Sequence, residues 1–241
     1  MKQYGLIGYP LSHSFSPDFF NKKFKAENID AQYTAFPLAT VSSFKDLLAA
    51  EPNLAGLNVT IPYKTSIIPF LDELSTAAEK IGAVNCIQFK QGRLIGHNTD
   101  FIGFADSLKP LLQSKHKRAL ILGTGGASKA VAYALNALSI PYQYVSSSDS
   151  SALQYAAINK KILDAHQIII NTTPLGMSPA TDACPALPYH LLNENHLVYD
   201  LIYNPEQTKF LATAAAQGAQ TKNGAEMLYL QAEKSWDIWQ S

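Results

Sequence analysis

An α/β protein of two domains is predicted, and three observations predict it. Short apolar runs of strand length alternate with helical patterns through the first hundred residues; a second series of strand, glycine turn, helix and strand begins near residue 118; and 241 residues suit two cores better than one.

In chain order, "YGLIG", "AQYTAF", "LAGLNVT" and "AVNCIQF" read as strands, with "SPDFFNKKFKAEN" as a helix capped by Ser16 and carrying Pro17 at its first position. The amphipathic "DFIGFADSLKPLLQ" leads into the second domain. There "RALILGTGGASKAVAYALNALSIPYQYVSSS" supplies strand, turn, helix and strand, "AHQIIINTTP" and "HLVYDLIYNP" two further buried strands, and "QTKFLATAAAQ" a helix. The final "AEMLYLQAEKSWDIWQ" is helical, with Met227, Leu228, Leu230, Ala232, Trp236, Ile238 and Trp239 on a broad apolar face. It is expected to return to the first domain.

Composition excludes several classes of function. Hydrophobic residues at 47% and charged residues at 16% describe a globular chain rather than a disordered one. Nineteen basic residues balance nineteen acidic ones, so no basic field exists to hold a nucleic acid. The stretch "MKQYGLIGYP" is too short and too broken for a signal peptide, and no apolar run reaches membrane-spanning length, so neither membrane nor export is expected and the cytoplasm is the expected compartment. Cys86 and Cys184 form no metal or disulfide pattern, and the six histidines form no HxxxH or HExxH pair, so no metal is expected. The absence of a Gly-x-Ser-x-Gly elbow leaves hydrolysis without support.

The stretch "LILGTGGASKAV" carries the first chemistry. Gly123 permits a tight turn, Gly125 permits close approach of the backbone to a ligand, and the amides that open the next helix face an anion such as a pyrophosphate. Ser128 stands where a third glycine is usual, but the strand before and the helix after support a Rossmann-like dinucleotide-binding unit over a plain tight turn. About twenty residues on, where an acid would bind a free ribose and an arginine a 2′-phosphate, the chain reads "VSSSDSS". Serine hydroxyls donate to either group, whereas Asp149 accepts from a ribose hydroxyl and repels a phosphate. The competing reading is a solvated loop that caps a helix at Ala152 through Asp149 or Ser150.

Four polar clusters lie at strand ends in the first domain: "PLSHSFSP" with Ser14 and Ser16, "LNVTIPYK" with Asn58, Thr60 and Lys64, "GAVN" with Asn85, and "HNTD" with Asn98, Thr99 and Asp100. Hydroxyls, amides, one lysine and one carboxylate suit a small polyhydroxylated acid. Each also has a plainer role, Ser16 as a cap, Asn85 as a turn residue, Lys64 as a first-turn surface lysine and Asp100 as a cap to a helix at Phe101; His13 is expected to shape the Ser14 loop.

The ordered set "PLSHSFSP", "GLNVTIPYK", "IGAVN", "GHNTDFIGF", "LGTGGASKA", "NTTPLGM", "DLIYNP" and "NGAEMLYLQA" closely resembles the shikimate dehydrogenase family and spans the chain nearly end to end. The resemblance implies a two-domain oxidoreductase of aromatic amino-acid and chorismate biosynthesis that reduces 3-dehydroshikimate to shikimate with a nicotinamide cofactor, NADP(H) before NAD(H), acting as a monomer or homodimer. It implies a catalytic Lys64 and Asp100, and substrate contacts from Ser14, Ser16, Asn58, Thr60, Asn85, Tyr203 and Gln231. Cofactor contacts are implied from Gly123, Thr124, Gly125, Gly126, Ala127, Ser146, Ser147, Ser148, Asp149, Leu201 and Gly224. The division expected on this basis is a substrate-binding domain of residues 1–101 with 224–241 and a Rossmann-like domain of residues 102–223, with the cleft between them holding nicotinamide against substrate.

Reduction of a ketone by hydride creates an alkoxide, which a positioned ammonium stabilises and protonates. Lys64 is the candidate, and a carboxylate beside it, supplied by Asp100, would favour its charged form. Two departures from the family stand out. Its usual Asn-Arg-Thr, whose arginine pairs with the 2′-phosphate, reads Ser146-Ser147-Ser148, and Cys86 replaces a common threonine. The alternatives are an NAD-preferring quinate/shikimate dehydrogenase, a non-catalytic shikimate-binding homologue, and another two-domain dinucleotide enzyme such as a folate dehydrogenase.

Overall fold

The computed structural model describes residues 1–11 and 14–241; His13, expected to shape the Ser14 loop, lies with Ser12 outside the described residues. The chain divides into two compact units, Met1–Thr99 with Ala232–Ser241, and Asp100–Gln231.

In the first unit β1 (Lys2–Gly8), α1 (Phe15–Ala26) and β2 (Ala31–Pro37) form a β-α-β unit with parallel strands, and α2 (Phe44–Ala50) precedes β3 (Leu54–Val59), parallel to β1 on its other side. β4 (Glu73–Leu74), α3 (Thr76–Ile81), β5 (Cys86–Lys90) and β6 (Arg93–His97) follow. Among the described residues these strands form one mixed sheet, β2-β1-β3-β5-β6-β4, in which β5 runs antiparallel to β3 and β6. Alternate side chains feed opposite cores, as the pleat requires: Tyr4, Leu6, Tyr33 and Cys86 on one face, Ile7, Leu57, Val59 and Ile87 on the other.

The first helix opens earlier than expected. Ser14, not Ser16, is its N-cap, Ser16 is the second helical residue and Pro17 the third. Proline is accommodated there because first-turn N–H groups have no intrahelical acceptor in any case.

The second unit contains α4 (Asp100–Leu108), β7 (Ala119–Leu122), α5 (Gly126–Ala137), β8 (Tyr142–Val145), α6 (Lys160–Ala165), β9 (Ile168–Asn171), β10 (Leu197–Asp200), α7 (Lys209–Ala215) and β11 (Gln220–Lys222). Its described strands form an all-parallel sheet, β11-β10-β9-β7-β8. Both faces are buried, Ile121, Ile170 and Tyr199 meeting Phe104, Val131 and Leu135, while Leu120, Leu122, Ile169 and Val198 meet Phe210 and Leu211. Strand order reverses between β7 and β9, and in such sheets the crevice beyond the carboxyl ends of those strands receives the ligand.

No helix starts at Ala152. Ser146 N–H donates to Leu153 O at 3.0 Å and closes a turn, and the next α-helix, α6, is capped by Asn159, whose side chain accepts from Ile162 N–H. The last helix, α8 (Ala225–Gln240), begins in the second unit and ends in the first. There Ala232, Trp236 and Trp239 pack with Tyr4, Phe20, Phe24 and Tyr33, and Trp239 donates from Nε1 to Ile87 O at 3.0 Å. Its ring lies so close over Gly56 that a Cβ there would fall 2.5 Å from it.

Candidate functional site

In the first unit the polar clusters gather along one sheet edge. Thr60 and Lys64 follow β3, and Ser14 lies beyond β1, parallel to it. Asn85 precedes its strand rather than ending it, but β5 is antiparallel, so Asn85 O accepts from Val59 N–H at 2.9 Å at the same edge. β6 reverses again, and Asn98 and Thr99 follow its end, with Asn85 N–H donating to His97 O at 3.0 Å.

A buried chain of hydrogen bonds stiffens this edge. Tyr33, fully buried, donates its phenolic proton to Asn58 Oδ1 at 2.8 Å. Asn58 Nδ2 donates to Asn85 O at 3.1 Å and to Ser235 Oγ at 2.9 Å, and Ser235 Oγ lies 3.2 Å from Thr99 Oγ1. Asn85 holds Thr99 twice, with Nδ2 donating to Oγ1 at 2.9 Å and Oδ1 accepting from the backbone N–H at 2.6 Å. Burial of all these groups makes full pairing obligatory, since an orphaned one costs about 1–3 kcal/mol. Lys64 is half-buried in a turn, not on a helix, and its carbonyl accepts from Val84 N–H at 2.7 Å. Cys86 is buried beside Ser235 and Trp239, and burial pushes its thiol up to about 12, so it stays an unreactive thiol.

In the second unit the glycine turn has the expected form. Gly123 has φ +103°, and a Cβ there would lie 2.9 Å from Thr172 Oγ1 and from Thr173 Cγ2, so only glycine lets the loops after β7 and β9 approach. Cβ atoms at Gly125 and Gly126 would meet only open space, which leaves the backbone at the start of α5 bare toward a ligand. Ser128, in the third-glycine position, is buried and donates from Oγ to Gly125 O at 2.6 Å, securing the turn. A dinucleotide's pyrophosphate fits this cradle.

The loops after β9 and β10 are tied by a buried carboxylate. Asp200 accepts from Asn171 Nδ2 at 3.0 Å, Ile202 N–H at 3.1 Å and Thr208 Oγ1 at 2.6 Å, while Asn171 Oδ1 accepts from Thr173 N–H and Oγ1. Burial raises the Asp200 carboxyl to about 6 against these three donors. Gly224 packs directly on the Leu201 backbone, where a Cβ would collide with Leu201 O, and its N–H donates to Ile202 O at 3.0 Å. Tyr203 is exposed beside them, and Gln231 donates from Nε2 to Leu228 O at 2.9 Å.

Residues 6–87 match the model of the shikimate dehydrogenase substrate binding domain. A shikimate dehydrogenase (NADP(+)) of Methanosphaera stadtmanae is 39% identical over 255 residues, covering 98% of this chain and 90% of the relative. The chain belongs to the shikimate dehydrogenase family. Among solved family structures, the shikimate 5-dehydrogenase of Thermus thermophilus in complex with NADP(H) and shikimate has a TM-score of 0.88 at 30% identity, covering 99% of this chain and 93% of that one. The shikimate 5-dehydrogenase of Listeria monocytogenes in complex with shikimate and NAD has a TM-score of 0.87 at 30% identity, covering 100% and 92%.

Within the family fold, Ser14, Ser16, Asn58, Thr60, Lys64 and Asn85 belong to the first unit. Asp100, Tyr203, Gln231 and the nucleotide-side residues Gly123 to Ala127, Ser146 to Asp149, Leu201 and Gly224 belong to the second. Sequence reading missed the supports: Tyr33 and Ser235 behind Asn58, and the triad of Asn171, Asp200 and Thr208. The last three sit in or beside "NTTP" and "DLIYNP", and a polar residue ending an otherwise apolar strand was the available signal. Among the described residues no group of His, Cys, Asp and Glu could hold a metal ion, and no helix is long and apolar enough to cross a membrane.

Proposed function

We propose that the chain catalyses the reversible reduction of 3-dehydroshikimate to shikimate with NADP(H), a step toward chorismate and the aromatic amino acids, in the cytoplasm and as a monomer or homodimer. The observation that carries this reading is family similarity over 98% of the chain, with Lys64 and the four polar clusters of the first domain present.

When bound, the nicotinamide supplies the hydride. Lys64 stabilises the alkoxide that forms on the substrate and donates its proton to that oxygen, and in the oxidative direction takes it back. Asp100 is the second catalytic group of this reading. Ser14, Ser16, Thr60, Asn85, Tyr203 and Gln231 bind the substrate's hydroxyls and carboxylate. Asn58, counted among the substrate residues, also holds the Asn85 carbonyl in place. Residues Gly123 to Ala127 take the pyrophosphate through bare amides, Ser146 to Asp149 take the adenosine ribose, and Leu201 and Gly224 shape the nicotinamide end.

The test is the initial rate of shikimate oxidation by the purified chain, followed at the nicotinamide absorbance with NADP and NAD, beside calorimetric binding of shikimate. Turnover supports the reading; shikimate binding without turnover on either cofactor makes the chain a binding protein instead. A quinate/shikimate dehydrogenase using NAD is the second reading, favoured by Asp149, and quinate in the same assay separates the two.

A further inference from the structure

We infer that the Ser146–Ser151 loop is built to read the adenosine ribose as a free diol, so that this chain accepts NAD(H) with nearly the affinity it has for NADP(H). The inference deepens the proposed function and rests on it.

The loop leaves the carboxyl end of β8, next to β7 in the sheet, where the acid or arginine of a dinucleotide unit stands. It is preorganised rather than slack. Besides the closing bond from Ser146 N–H to Leu153 O, the Ser146 hydroxyl accepts from Ser148 N–H at 3.2 Å and Asp149 N–H at 3.1 Å. Asp149 Oδ1 accepts from Ser151 N–H at 2.9 Å and Ser151 Oγ at 2.6 Å, and Asp149 O accepts from Gln154 Nε2 at 2.8 Å. The two bonds from Ser151 hold the Asp149 carboxyl below its ordinary range, so it stays ionised at neutral pH.

No lysine, arginine or histidine occurs between Lys129 and Lys160, and Lys160 is engaged by both carboxylate oxygens of Asp164 at 2.8 and 2.7 Å. The loop itself therefore offers a 2′-phosphate no basic side chain, only the exposed hydroxyls of Ser147 and Ser148 and the Asp149 anion. An arginine would have contributed charge-assisted bonds worth about ten- to a hundredfold in affinity, and that factor is missing. A ribose diol instead finds in Asp149 a ready acceptor.

The test is equilibrium binding of NADPH and NADH without substrate, followed by nicotinamide fluorescence, on the whole chain and on Asp149→Asn and Ser147→Arg, with shikimate binding measured calorimetrically alongside. The two dissociation constants are expected to agree within about tenfold, with Asp149→Asn moving the ratio toward NADPH and Ser147→Arg moving it at least about tenfold. Shikimate and NADPH binding with NADH weaker by more than about tenfold overturns the inference alone, as does a ratio that Asp149→Asn leaves unmoved. Failure of both dinucleotides to bind overturns the inference together with the proposed function.

Discussion

Asn85 grips Thr99 from two sides, donating to its hydroxyl at 2.9 Å and accepting from its backbone N–H at 2.6 Å. Thr99 is fully buried and is the last residue before α4 opens at Asp100. Asn85→Ala therefore strands a buried N–H and is expected to cost about 1–3 kcal/mol of stability, read by urea unfolding, together with lost shikimate affinity. Asn85→Asp keeps the acceptor for the N–H and is expected to cost less. Equal stability of wild type and Asn85→Ala would show that water replaces the amide.

Lys64→Ala is expected to lower kcat by about 10² to 10⁴ while the calorimetric affinity for shikimate changes little, as loss of a proton donor demands. Steady-state kinetics on shikimate oxidation check it. A variant with near-normal kcat and weakened binding would make Lys64 an anchor.

Gly224→Ala places a methyl group against the Leu201 carbonyl, a backbone atom that no rotamer change removes. The expected loss is about 1–3 kcal/mol of stability with weakened NADPH binding, read from thermal unfolding with and without cofactor. An unchanged dissociation constant would remove Gly224 from the cofactor residues.

The Asp200 carboxyl sits at about 6 when folded against 3.8 as its ordinary value, so folding favours its protonated form. Its contribution is fully present below about pH 4 and is lost as pH rises through about 6, a change of roughly 3 kcal/mol. His116 and His166 act oppositely: burial lowers both, so their contribution is present above their ordinary value and lost on acidification. Unfolding of wild type and Asp200→Asn across pH 4 to 7 isolates the aspartate, and the wild-type advantage is expected to shrink as pH rises. A constant difference would mean that Asp200 titrates in its ordinary range.

What the sequence by itself determined was whatever depends on local pattern. Apolar runs between polar turns marked β1, β2, β3, β7, β8, β9 and β10, the broad apolar face marked α8, and two glycines before an alanine-rich helix marked the dinucleotide turn, because periodicity and φ preference act within a few residues. Ser14, Ser16, Thr60, Lys64 and Asn85 were visible as polar residues at the ends of such runs. Only the tertiary structure decided the rest. The reversal of β5 against β3 brought Asn85 to the Thr60 edge from the opposite chain direction, and strand direction is set by which neighbours complete the sheet, not by the strand's own residues. The turn in place of a helix at Ala152 was likewise settled by competing hydrogen bonds, from Ser146 N–H to Leu153 O and from Ala152 N–H to Asp149 O. Asn58 with Ser235 and Asn171 with Asp200 are 177 and 29 residues apart in sequence, and no spacing rule reaches that far. They meet because a buried polar group must be satisfied by whatever donor the fold carries to it.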